Sequence, residues 1–210
     1  MALMSLERFW DIIAQSRSGF DPNRRDGNMD SQVTRLRLIL SELSVEEIGS
    51  FDNTFTKLFH DAYRWDLWAA GYIIEGGCGD DGFTDFRYWL ISMGREVYEN
   101  AMTDVESLAN VAFTPGIEVT RFEGFRFLAR EALRRMNASD NDAGLMAFEH
   151  PASPAGNEWD DGDLPRRFPK LTAAADQYGA HHEIHRRTPV ERLSDGKPFT
   201  RPRRWPTLPD

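Results

Sequence analysis

Residues 65–89 read WDLWAAGYIIEGGCGDDGFTDFRYW: a nearly all-apolar run, three glycines around one cysteine, two adjacent aspartates and an aromatic-rich continuation. A run as apolar as 65–74 that shows no alternation reads as a buried helix, the central one of the fold. The glycines at 76, 77 and 79 end it, because they take left-handed backbone conformations at little cost. A second helix is expected to start near Asp81, whose side chain can cap it. Phe83, Phe86, Leu90, Met93 and Val97 then step by 3, 4, 3 and 4 along one face, which predicts a single helix laying a broad stripe on the core. The stretch is thus helix, glycine corner, helix, and it sets the class of the whole chain.

The same period continues upstream. Ser5 is positioned to cap a helix carrying Leu6, Phe9, Trp10 and Ile13, and Asp30 to cap another carrying Val33, Leu36, Leu40 and Leu43. The tetrapeptide SVEE at 44–47 is a capping box, in which the Ser44 hydroxyl and the Glu47 carboxylate each take a free N–H at the helix start. Ile48, Phe51, Phe55, Leu58 and Phe59 form the buried side that follows.

Downstream, TDVESL at 103–108 suggests a short helix start and FTPGIEVT at 113–120 a turn with a brief extended piece. An amphipathic helix is expected over 121–137, with Phe122, Phe125, Leu128, Ala129 and Leu133 on its apolar side. After Ala138 the chain turns rich in Asp, Gly, Ser, Asn and Pro and loses its period. FPKLTAAADQY at 168–178 reads as a last docked element. The fold class expected is mainly α: one compact helical domain over 1–175, made of a helical body (1–138) and an irregular, acidic wrapping segment (139–175). A Pro- and Arg-rich basic tail (176–210) is expected to be flexible.

The 210 residues carry a net charge of −9, which argues against a general binder of nucleic-acid backbones. Residues 181–210 hold seven Lys or Arg against four acids, a local +3, so the rest carries −12. One cysteine, Cys78, excludes an internal disulfide framework and a multi-cysteine metal site. Acids at 7 and 11 and Arg8 interrupt the N-terminal apolar residues, so no secretory signal is read there, and 65–74 is about half the ~20 residues of a membrane span. A cytoplasmic location with no membrane partner is the expectation.

The chemistry-bearing candidates gather at the corner. Asp80 and Asp81 suit a helix N-terminus, where free N–H groups and the dipole favour negative charge. With Asp85 one turn on, they equally suit a carboxylate set holding a divalent cation or moving a proton. Arg87 and Arg95 can neutralise these acids or bind an anion. Cys78 is either a small buried residue or a thiol made reactive near a helix start, and the neighbouring carboxylates oppose the second. Trp89 completes the candidate ligand-binding set of Cys78, Asp80, Asp81, Asp85, Arg87, Trp89 and Arg95.

Elsewhere the signals are weaker. His60 lies near a helix end, where a structural role is the simpler reading. AHHEIHRR at 180–187 lacks the His-Glu-x-x-His spacing of a zinc protease, and Asp160, Asp161 and Asp163 lack the spacing of a calcium loop. Trp159 and Trp205 lie in polar surroundings and are candidate anchors for a partner. No phosphate loop, nucleophile elbow or dinucleotide fingerprint occurs.

The chain resembles a bacterial family described only as domain of unknown function 4240. FWDIIA at 9–14, WDLWAAGYIIEGGCGDDGF at 65–83, DFRYWLISMGREVYENA at 85–101 and FPKL at 168–171 carry the likeness. It implies a bacterial, cytosolic setting and one recurring patch that includes Gly76, Gly77, Cys78, Asp80, Asp81, Gly82, Phe83, Phe86, Arg87, Trp89, Gly94 and Arg95. The family pattern has serine where Gly79 stands and proline where Val105 stands, so a serine-based mechanism is weakened. The resemblance implies no particular activity.

Three functions are consistent with the sequence. The leading one is a noncatalytic module binding a protein or small molecule at the corner, with no cofactor. The second is an enzyme using Asp80, Asp81 and Asp85, with or without a divalent cation, on an anionic substrate. The third is an acidic mimic of nucleic acid, for which the scattered acids give least support.

Overall fold

The computed structural model describes residues 2–181. Among these the architecture is helical, and the only β pairing is an isolated bridge between Arg64 and Ala155. The helices are α1 (Leu6–Ser16), α2 (Asn28–Ser41), α3 (Val45–Asp61), α4 (Trp65–Glu75), α5 (Asp80–Ser92), α6 (Arg95–Thr103), α7 (Leu128–Arg135), α8 (Leu164–Arg167) and α9 (Pro169–His181), with 3-10 turns at Val105–Asn110 and Glu123–Phe127. No helix among the described residues is long and apolar enough to cross a membrane. Residues 176–181, where the basic tail is expected to begin, fall within α9, while the rest of the tail (182–210), with Trp205 and residues 182–187 of the histidine-rich stretch, lies outside the described residues.

Local signals in the sequence are realised at several helix ends. The Ser5 hydroxyl accepts the Arg8 N–H, and Ser44 and Glu47 form the reciprocal capping box. Gly76 closes α4 with φ 66°. Three ends differ from expectation for a common reason, that the partner of the helix start comes from elsewhere in the fold or from the backbone alone. Asp30 does not cap α2. The helix begins at Asn28 behind Gly27, and the Glu118 carboxylate, 90 residues away in sequence, accepts the N–H groups of Asn28 and Met29. Asp81 does not cap α5 either. Gly79 holds the cap position, and Asp80 and Asp81 fall inside the first turn.

The third difference is a break. The stripe from Phe83 to Val97 is carried by two helices, because Gly94 sits between α5 and α6 with φ 96°, a conformation costly for other residues. The segment expected as one helix over 121–137 is a 3-10 turn followed by the short α7.

The helix that runs through the core is α5 rather than α4. All seven residues from Phe86 to Ser92 are buried, whereas α4 is buried over Leu67–Gly71 and half-exposed from Tyr72 to Glu75. A helix buried all round must present apolar groups all round, and this one is aromatic on several sides. Tyr88 stacks on Phe55 and Phe59, Phe83 stacks on Trp68 at 5.0 Å, and Phe86 lies tilted against Trp89. Elsewhere in the bundle α1 packs on α2, and α2 and α3 pack on α7.

The segment after Ala138 is irregular to residue 160 and then forms α8 and α9. α9 packs on α4 and on the 105–110 turn, with Leu171 fully buried. Trp159, expected as a free anchor, is instead part of the core: it is 3% exposed, its indole N–H donates to the Trp65 carbonyl at 2.8 Å, and its ring lies 5.0 Å from that of Tyr72.

Candidate functional site

The corner between α4 and α5 is built by its own backbone. The Gly77 N–H returns to the Tyr72 carbonyl at 2.9 Å, and the Trp68 indole donates to the Cys78 carbonyl at 2.8 Å. These bonds turn the Cys78 side chain inward, between α4 and α5, 6% exposed. Burial, with Glu75 and Asp85 nearby, pushes its thiol up to about 12 despite the proximity of Arg121. The thiolate needed for nucleophilic attack is therefore suppressed at neutral pH.

Asp80 and Asp81 are exposed in the first turn of α5, where the helix dipole favours them without any side-chain cap bond. Asp85 is half-buried one turn further. Its carboxyl is held above the usual range by burial and by repulsion from Glu123 and Asp81, against the pull of Arg121. Asp80, Asp81 and Asp85 do not converge into a cation site, and among the described residues no three His, Cys, Asp or Glu side chains do. In the acidic loop, Asp161 accepts the Tyr72 hydroxyl and Asp163 pairs with Arg166.

The two arginines expected beside the acids are elsewhere. Arg95 pairs with Glu99 at 2.8 Å on the surface of α6. Arg87 points from α5 into the protein, 2% exposed, with its guanidinium carbon 3.7 Å from the Phe59 ring centre, 4.8 Å from Tyr63 and 4.9 Å from Phe83. Its Nη1 donates to the Phe59 carbonyl at 3.2 Å and its Nη2 to the Thr84 hydroxyl at 3.3 Å. Among the described residues Nε is buried without a hydrogen-bond partner and no carboxylate forms an ion pair with the group. Desolvation lowers its pKa to about 10, so it stays charged at neutral pH. Trp89, also 2% exposed, is core.

The cation that does reach the corner is Arg121, with Nε 3.0 Å from the Glu75 carboxylate, which also accepts the Thr120 hydroxyl. It is placed there because the Phe122 N–H bonds the Asp85 carbonyl at 3.1 Å. Nothing in the local sequence of 120–123 signals this pairing.

A second group of side chains, dispersed in the sequence, lies beside Arg87. The His60 ring is 5.4 Å from that of His150, which is 4.7 Å from Tyr63, and Phe148 packs edge-on against His60. Burial lowers the His60 pKa, and His150, Arg87 and Arg126 lower it further against Asp61. The face thus gathers cationic and cation-capable groups in a chain that is acidic overall. Residues 90 positions apart form it, so only His60 was visible as a candidate beforehand.

Comparison with curated proteins and with solved structures found no match. A family model does match, over residues 4–135, which takes in α1 to α7, the glycine corner and Arg87. The chain belongs to the family described as Protein of unknown function (DUF4240).

Proposed function

We propose that this protein is a noncatalytic ligand-binding module of the bacterial cytoplasm, which recognises its ligand on the face where the Gly-Gly-Cys-Gly-Asp-Asp-Gly-Phe corner meets the end of α3. One observation carries this reading: the groups at the corner best suited to chemistry are withdrawn into the fold. Cys78 is buried with its thiol raised to about 12, and Arg87 and Trp89 are core. What remains at the surface is recognition chemistry, namely the acidic start of α5 and the half-exposed rings of His60 and Tyr63.

A second reading, an enzyme based on carboxylates, is favoured by Asp85, whose raised pKa is the property of a proton carrier. Thermal unfolding separates the two. Metal-stripped protein is melted alone and with Mg2+, Mn2+, Ca2+ or Zn2+, beside Asp81→Asn. The binding module predicts no ion-selective rise in Tm and a variant within about 1 kcal/mol of wild type, the size of a helix-dipole contribution. Selective stabilisation by one ion, lost in Asp81→Asn, would replace it with the carboxylate enzyme.

A further inference from the structure

We propose that Arg87 is the floor of an oxyanion-binding site, taking the phosphate or carboxylate group of a small ligand, with His60 and His150 as flanking donors and residues 147–154 as its cover. The inference rests on the binding-module reading and names the ligand class of that face.

The first ground is the state of the guanidinium. Burying a charge costs several kcal/mol unless it is paired and its hydrogen bonds are made. Arg87 has no carboxylate partner among the described residues, although Asp and Glu (34) outnumber Lys and Arg (25) in the chain. Its bonds run to one carbonyl and one hydroxyl, and Nε has no partner. Three rings compensate in part through cation–π contact. They do not use the planar fork of donors, which matches a bidentate oxyanion.

The second ground is the surroundings. His60, His150 and Arg126 add cation-capable groups on this side. Of the acids that reach it, Asp61 is held by Lys57 at 2.6 Å, and Asp80 lies exposed beyond Tyr63. An anion there would be met by an excess of donors.

The third ground is the cover. Residues 147–154 are pinned at both ends, by the Met146 N–H on the Asn53 side chain at 2.8 Å and by the Ala155 N–H on the Tyr63 carbonyl at 2.9 Å. Between these pins, among the described residues, no hydrogen bond ties the strand of chain to the helices, and Phe148 and His150 rest on His60 and Tyr63 through ring contacts. Such a strap can lift locally without unfolding the bundle.

The test is calorimetric titration of the full chain with inorganic phosphate and, separately, with benzoate, at ionic strength matched with sodium chloride. The site predicts saturable binding of one of them, and which one it is tells a phosphate ligand from a carboxylate ligand. His150→Ala, an exposed position that leaves the core intact, should weaken it about tenfold, and Arg87→Lys should abolish it by removing the fork. Absence of saturable binding to both anions, or binding unchanged in His150→Ala and Arg87→Lys, would overturn the site and leave the binding-module reading standing. Incubation with p-nitrophenyl phosphate reads the other hypothesis: binding without hydrolysis supports both, whereas hydrolysis lost in His150→Ala would overturn the noncatalytic reading and keep the site.

Discussion

Cys78 shows how one side chain's chemistry follows from the backbone around it. Its neighbours in sequence, two glycines and a pair of aspartates, are compatible with a reactive thiol at a helix start or with an inert one. The Trp68 indole on the Cys78 carbonyl decides between these, because it turns the sulfur between two helices. Burial then raises the thiol to about 12. At about pH 8, folded protein should react with a thiol reagent on the order of 100-fold more slowly than a free cysteine, and at the normal rate once denatured. Fast labelling of the native protein, followed by mass spectrometry, would restore Cys78 as a candidate nucleophile. Arg87 teaches the same lesson in reverse. Its position in sequence, two residues from Asp85, suggests an ion pair, but on a helix that spacing sends the two side chains to different sides.

At the scale of elements, caps made within the helix were legible and caps made across the fold were not. Ser5 and the Ser44–Glu47 box follow from short-range chemistry and form as expected. The start of α2 depends instead on Glu118, brought there by the 113–120 turn. Glu118→Ala should therefore lower stability by about 1 kcal/mol, while Asp30→Ala, in the first turn of the same helix, should cost no more than a few tenths. Denaturant unfolding of the two variants checks this, and an equal or reversed order would return the cap to Asp30. The break at Gly94 belongs here too. The apolar step of 3 and 4 runs straight across it, so periodicity alone joins α5 to α6, and only the backbone conformation at φ 96° separates them.

In the molecule as a whole, the segment after Ala138 is a structural part of the bundle. Trp159 is locked to Trp65 and Tyr72, and Leu171 is fully buried where α9 meets α4. Leu171→Ala should cost roughly 2–5 kcal/mol, as buried leucine truncations do, and unfolding followed by tryptophan fluorescence and by helical dichroism should shift together. Two separate transitions would mean that α9 and the segment before it are an appendage rather than part of the cooperative unit. The same segment supplies His150 and Phe148 over Arg87, so the core contact and the candidate site depend on one strap of chain.

By itself the sequence determined that the protein is helical, that α4 stops at the glycines, where the caps of α1 and α3 lie, and which apolar residues line α3 and α5. These are local matters, fixed by period, by capping chemistry and by the left-handed preference of glycine. The tertiary structure alone decided that α5 rather than α4 runs through the core, that Arg87 enters a cage of Phe59, Tyr63 and Phe83, and that His60 meets His150. Each of those depends on contacts between residues that the sequence separates. Their geometry follows from how the helices pack, and no spacing along the chain encodes it.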